Sequence, residues 1–423
     1  MSPKKSLFLA TFFLFLSLAW ASPTEAPIYN FLGGTTDGSL PVGGLVADKA
    51  GNLYGTTGSG GPFTDCSPFG QTCGVVFELS PKNGGWVEAV LYTFTGGEDG
   101  GEPLAGLAID SNGDLYGTTA IGGTYGYGTV FLLSKGRGGW SESVLYSFRG
   151  GSDGAYPQAA PTLSGGVVYG TTYAGGGYPC LGAPSGCGTV YQLEKGNNGW
   201  TETVLYQFTN SSDGAFPYAS VLVDRNGNLY GATTQGGYLN GNCAPYGCGN
   251  VYQLKRGGAG WTLNSLYNFS YNSDGSAPIG GLLDGPNNTL YGTTSGGGSG
   301  FAGTVFQLAF AKGKWNFSVL YSFSGSDGSS PEGTLVGKGK SLFGTTYSGG
   351  SGSGCFFGGP CGTAFMLTAT AKGWKHTLLH SFTNDGADGI SPEAGVIILN
   401  NALYGTTYAG GSADQGTVFT ITP

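Results

Sequence analysis

The motif Tyr-Gly-Thr-Thr, or a close variant, begins at Tyr54, Tyr116, Tyr169, Tyr230 (as YGATT), Tyr291, Phe343 (as FGTT) and Tyr404, at intervals of 62, 53, 61, 61, 52 and 61 residues. Repetition on this scale means a unit that buries its apolar face only by stacking against copies of itself. Around each motif runs similar text, as in PYASVLVDRNGNLYGATTQGG, then GNVYQL, then GWTLNSLYNF, then a loop ending SDGSAP. Each unit holds four short runs rich in Val, Leu, Tyr, Phe and Thr, separated by Gly, Asn, Asp and Pro, which is the signature of strands and turns. In the fourth unit these runs, A to D, are expected at Pro217–Asp224, Asn228–Gly236, Gly249–Lys255 and Trp261–Phe269. No segment sustains a 3.6-residue apolar period, so essentially no helix is expected.

Four antiparallel strands in each of seven units predict an all-β fold, a seven-bladed β-propeller whose radial arrangement protects the sheet edges. A linear solenoid would need atypical capping units, and the chain ends argue against caps. The first unit starts at APIYNF, Ala26 to Phe31, which matches only the end of a strand D, whereas the last stops after GTVFTITP, a strand C. The N-terminal strand is therefore expected to pair into the C-terminal blade and close the ring. Trp86, Trp140, Trp200, Trp261, Trp315 and Trp374 open strand D of blades one to six, and the blade that borrows its strand has none. The expected blades are residues 41–94, 103–148, 157–208, 217–269, 278–323, 331–382, and 392–423 together with 26–31.

Residues 1–21 read as a secretory signal: Lys4 and Lys5, an apolar run from Leu7 to Leu18, then Ala19-Trp20-Ala21. The run falls short of the ~20 residues that span a bilayer, and no later segment is apolar enough to span. The mature product, residues 22–423, is expected to be extracellular or periplasmic. Its 25 acidic residues then face 15 basic ones, which excludes electrostatic binding to nucleic acid and to anionic membranes. Aromatics at 13% argue against the disorder that 85 glycines would otherwise suggest.

The recurring YGTT-x2-GG followed by G-T-V-[FY]-x-[LI] resembles the GloVer tandem repeat of secreted bacterial proteins of the choice-of-anchor group. The resemblance covers nearly all of the mature chain. It implies an exported, propeller-like repeat protein and implies no reaction. Some members carry a C-terminal surface anchor; this chain ends on GTVFTITP without an evident one.

Eight cysteines form four close pairs, Cys66/Cys73, Cys180/Cys187, Cys243/Cys248 and Cys355/Cys361, each in the B–C loop of blade one, three, four or six. These are the units with the longer B–C loops. The only histidines, His376 and His380, fall together in one strand D, reckoned to blade seven, so no Cys2His2 set assembles locally. No pair has C-x-x-C redox spacing. In an exported chain an even set of local pairs reads as disulfides.

With strand A innermost, the B–C and D–A loops share one face, which carries the four stapled loops and the Asp-Gly turns at Asp37, Asp99, Asp153, Asp213, Asp274, Asp327 and Asp388. Each aspartate either caps its own turn before a glycine or serves as a hard ligand for Ca²⁺. The capping reading is the simpler for a feature present in every blade, and no cofactor is expected.

Differences between blades are more informative about function. After the proline that leads into strand A come Val42, Leu104, Gln158, Tyr218, Ile279, Glu332 and Glu393. After the threonines of strand B come Gly58, Ala120, Tyr173, Gln235, Ser295, Tyr347 and Tyr408. Blades six and seven, neighbours in the ring, supply a Glu and a Tyr each. Carboxylates beside aromatic faces suit a sugar or a cation, or acid–base work on a glycosidic bond; the plainer reading is solvated channel-mouth side chains. The ligand-binding candidates are Glu332, Glu393, Tyr347, Tyr408, Tyr173, Gln158 and Tyr218, with Glu332 and Glu393 the catalytic candidates. Three functions remain open. The leading one is a monomeric module that binds an extracellular polysaccharide or cell-surface polymer rather than an enzyme; the others are a polysaccharide hydrolase or lyase and a cell-envelope module with no ligand. Gly150-Gly151-Ser152-Asp153-Gly154 matches a nucleophile motif but lies in a repeat turn without histidine in range. Gly339-Lys340-Ser341 lacks the glycine a phosphate loop needs.

Overall fold

The structure, a computed structural model, describes residues 23–64, 66, 71–181, 185–258, 260–355 and 359–422. The expected signal, residues 1–21, lies outside them. Seven four-stranded antiparallel sheets form a seven-bladed β-propeller. Blade one runs A to D as Val46–Ala47, Leu53–Thr57, Val75–Lys82 and Gly85–Thr93. Blade seven supplies Ile397–Leu399, Ala402–Thr407 and Thr417–Thr422, and its outer strand is the N-terminal Thr24–Asn30. These last two pair antiparallel, from Thr24 opposite Thr422 to Asn30 opposite Thr417, so the ring closes as the unequal chain ends required. Among the described residues there is no α-helix, one 3₁₀ turn at Gly151–Asp153, and no helix long and apolar enough to cross a membrane.

The letters of the repeat each have a physical job. In YGTT, a Cβ on the glycine would fall 2.6 Å from the Phe77 ring in blade one, 2.3 Å from Phe131 in blade two and 2.3 Å from Tyr191 in blade three. The aromatic of strand C lies across the strand B backbone, and only glycine lets it down. That ring then receives, edge to face, the phenylalanine that ends the preceding blade's strand D. Phe31–Phe77, Phe94–Phe131, Phe148–Tyr191, Phe208–Tyr252, Phe269–Phe306, Phe323–Phe365 and Phe382–Phe419 have centroids 5.1–5.3 Å apart. Such pairs contribute about 0.5–1.5 kcal/mol each beyond the area they bury, and they form the interblade core.

The two threonines divide their work. The first reaches the next blade: Thr56 Oγ1 donates to the Ala105 carbonyl (2.6 Å), Thr345 to Ala394 (2.7 Å) and, across the closure, Thr406 to Gly43 (3.1 Å). The second turns back onto its own loop, as Thr172 to the Ala174 carbonyl (2.8 Å). This division corrects the reading of blade four. Thr233 there donates to the Gln235 carbonyl, so it is the second threonine and Ala232 stands in place of the first. YGATT is thus a substitution followed by Thr234, and Thr234, not Gln235, is the counterpart of Tyr173.

Two further expectations are corrected. His376 and His380 lie on Gly373–Ser381, strand D of blade six; the strand facing it across the next interface is the N-terminal one. Strand A is also shorter than expected. In blade four only Leu222–Val223 joins the sheet, while strands B, C and D run Leu229–Thr233, Asn250–Gly257 and Gly260–Asn268. Near the axis the seven lead-in segments pack on one another instead. A Cβ on Gly106 would lie 2.7 Å from the Gly44 carbonyl oxygen, and one on Gly395 would strike Thr334 backbone. Backbones this close leave no room for a regular inner ladder.

Candidate functional site

Each lead-in begins with a strained residue. Leu40, Glu102, Tyr156, Phe216, Ala277, Ser330 and Ser391 all have φ between 50° and 57°, and each immediately precedes the strand A proline. Non-glycine residues seldom adopt this conformation, and a following proline restricts them further. Two neighbours enforce it. The proline ring seats on the glycine that opens the preceding blade's strand C, where a Cβ would lie 2.5–2.8 Å from proline Cδ in every blade, including Gly416 against Pro41. The strained residue's N–H donates to the carbonyl just before that glycine, as Tyr156 to Tyr127 and Leu40 to Gln415, both 2.9 Å.

In four blades that carbonyl belongs to a cysteine: Glu102 donates to Cys73, Phe216 to Cys187, Ala277 to Cys248 and Ser391 to Cys361, at 2.8–2.9 Å. All four local disulfides form, Cys66–Cys73, Cys180–Cys187, Cys243–Cys248 and Cys355–Cys361. Each therefore braces the loop on which the next blade's lead-in is hung. Two of them stand directly behind Tyr218 and Glu393.

The residue after each proline points to the axis. Val42, Leu104, Gln158, Tyr218, Ile279, Glu332 and Glu393 together line a central cavity of about 490 Å³. Its wall is uneven: Val42 and Leu104 make one side apolar, whereas blades six and seven supply the two carboxyls. Burial pushes Glu332 up to about 7, and the Glu393 charge adds to the effect. Burial likewise raises Glu393 to about 7. Tyr218, from blade four, is pushed up to about 12 by burial and then by the charges of Glu393 and Glu332, so its phenol stays protonated in their field.

Tyr173, Tyr347 and Tyr408 stand above this lining. Tyr173 stacks on Phe216 (5.0 Å) and meets Tyr218 edge-on (6.0 Å). Tyr347 hydrogen-bonds Ser391, and burial followed by the Glu393 charge raises its phenol. The same two causes raise Tyr408. Gln158 joins the cavity wall beside Tyr218. The seven proposed residues thus gather at one mouth of the channel.

The seven aspartates sit farther out, in their D–A turns. Asp37, Asp99, Asp153, Asp213, Asp274 and Asp327 each accept a strand D tyrosine hydroxyl, from Tyr29, Tyr92, Tyr146, Tyr206, Tyr267 and Tyr321. Asp388 contacts His380 instead, at 2.8 Å. Each carboxylate also accepts a backbone N–H of its own turn, such as that of Leu32, Thr209 or Thr383. Sequence reasoning missed the glutamates behind these pairs. Burial, then the aspartate of the preceding outer strand, raises Glu88 and Glu142 to about 7 and Glu202 to about 8. The recurring Trp-x-Glu, as in Trp86-Val87-Glu88, was the available signal.

Fold and site define a seven-bladed propeller built of one degenerate repeat, with a differentiated channel mouth. The chain belongs to the Gloeobacter/Verrucomicrobia repeat family, whose model matches residues 17–182, 70–244, 180–354 and 240–423. No curated protein matches it in sequence. Among solved structures it is similar to a fungal alcohol oxidase of the AA5 family in complex with copper (TM-score 0.54, 12% identity, 96% of this chain and 76% of that one). It is also similar to a chain of the mitotic checkpoint complex (0.51, 10%, 99% and 96%) and to a Trichoderma reesei carbohydrate-active enzyme of family AA12 (0.41, 12%, 96% and 96%). At these identities the likeness to the oxidase and to the checkpoint-complex chain is one of fold.

Proposed function

We propose that the chain is an exported binding module that takes a segment of an extracellular or cell-surface carbohydrate at the channel mouth. The observation that carries this reading is where the repeats stop agreeing. At the seven post-proline positions the copies diverge, and the divergence gathers acceptors and aromatic rings beside an apolar wall. A sugar presents hydroxyl edges and an apolar ring face, so it needs both kinds of surface. The leader-like residues 1–21 and the four disulfides support export.

A glycan array with the mature chain tests this. Binding to a defined glycan class that falls at least tenfold in Tyr218→Ala and Glu393→Gln is the expected result; an array with no signal leaves the structural-module reading standing. A second reading has its own support. Two neighbouring carboxyls held near 7 are poised to exchange protons at neutral pH, as a polysaccharide hydrolase or lyase requires. Release of reducing ends from a polysaccharide by the wild type, lost in both Glu332→Gln and Glu393→Gln, would establish that reading.

A further inference from the structure

Each interblade interface repeats one outer arrangement: a strand D residue, the Asp of its turn, and a side chain from the next blade packed behind them. In six interfaces the strand D residue is tyrosine. At the seam between blade six and the N-terminal strand it is His380, joined by Asp388 and by Glu25, the counterpart of Glu88. His380 Nε2 lies 2.8 Å from Asp388 Oδ2 and 3.8 Å from Glu25 Oε2, and the ligand atoms of the three groups lie within 4.8 Å of one another.

Two features single out this seam. The side chains of Glu25 and Asp388 are only 6% and 9% exposed, yet Glu25 Oε1 and Asp388 Oδ1 have no hydrogen-bond partner among the described residues. Buried carboxylate oxygens without partners are costly and call for a cation or a proton. Glu88, Glu142 and Glu202 also leave Oε1 unpartnered, but behind a tyrosine hydroxyl. A neutral phenol is a poor metal ligand, whereas imidazole is among the commonest. Among the described residues, only the seam combines two buried carboxylates with an imidazole.

We propose that Glu25, His380 and Asp388 bind one divalent transition-metal ion of the zinc type, which clamps the N-terminal strand to blade six. With metal–ligand bonds of about 2.0–2.2 Å, the ligand atoms around a tetrahedral ion lie roughly 3.3 Å apart. The 3.8 Å pair need close only slightly, and the His380–Asp388 contact opens by about half an ångström to admit the ion. The Thr383 N–H, 3.0 Å from Asp388 Oδ2, orients that carboxylate. His380, 24% exposed, leaves an entry path and a fourth position for water. One imidazole with two carboxylates favours zinc-like ions over Ca²⁺ and Mg²⁺, which prefer all-oxygen sets.

The decisive variant is His380→Tyr, which restores the residue the other six interfaces carry and so preserves the fold. Tag-free, EDTA-stripped mature chain is titrated with Zn²⁺ by calorimetry and followed by thermal melting. The wild type should bind one Zn²⁺ per chain and melt at a higher temperature with the metal; Ca²⁺ and Mg²⁺ should do neither. His380→Tyr should match the wild type in circular dichroism and in its melting with EDTA, and lose at least tenfold in zinc affinity. Glu25→Gln should weaken binding by a similar factor, whereas Glu88→Gln, at the equivalent position of a tyrosine interface, should leave it unchanged. No stoichiometric binding by the wild type, undiminished binding by His380→Tyr, or equal loss in Glu88→Gln would each overturn the site.

Discussion

The inner end of strand B and the inner end of strand A lie side by side in every blade, yet they have opposite histories. On strand B the repeated letters have partners in the packing: the glycine lies under an aromatic ring, one threonine reaches the next blade (Ala232 alone replaces it) and the other folds back on its loop. On strand A the backbone does the structural work. The strained pre-proline residue, the proline and the glycine beneath it hold the lead-in, and the side chain that follows is left free toward the axis. Seven copies agree where packing dictates the residue and disagree where it does not. The disagreement therefore marks the positions that the fold leaves free to vary.

Three experiments probe that contrast. The largest effect belongs to the shared scaffold: Phe131→Ala, at a residue fully buried between blades one and two, should cost about 3–5 kcal/mol, read as a lowered denaturant midpoint. A smaller cost would mean that the rings are not what holds the blades together. Next comes a substitution at the variable position that should stabilise. Glu332 titrates near 4.5 when unfolded and near 7 when folded, so the folded state holds its proton longer. Stability contributed by this group is full below about pH 4.5 and is lost as the pH rises to about 7. Glu332→Gln should accordingly match the wild type at pH 4 and exceed it at pH 8 by on the order of 2–3 kcal/mol. Equal stability at both pH values would show that the carboxyl is solvated. The smallest global effect should come from the joint Cys180→Ser and Cys187→Ser change. Opening a ring of sequence separation 7 removes about 2 kcal/mol or less. Its main readout is local: faster proteolysis of the B–C loop of blade three and weaker engagement of any ligand by Tyr218, whose lead-in hangs on the Cys187 carbonyl.

The ring, the blade count and the four disulfides were legible because each rests on residues close in sequence or on the repeat itself. The failures share a cause. Blade four's YGATT reads like a slip in spacing until the hydrogen bond from Thr233 shows which threonine is which. The short strand A follows from the meeting of seven backbones at one axis, which no single repeat encodes. The seam group needs Glu25 beside His380, and only closure of the ring puts residues that far apart in the chain into contact. The channel mouth was legible as a set of divergent positions, but its lopsided cavity and raised carboxyls depend on how the blades face one another.

Closure through Thr24–Asn30 also sets an order of events. Blades one to six each pair strands that are neighbours in the sequence, whereas Thr24–Asn30 meets its partner, Thr417–Thr422, only across the whole ring. Until then it remains an unpaired edge, and so does the strand C that will receive it, each able to recruit a neighbouring chain instead. Pairing at such sequence separation is slow. Six blades can thus stand complete while the seventh still has an open side, and the pairing that closes it is the one most separated in the chain.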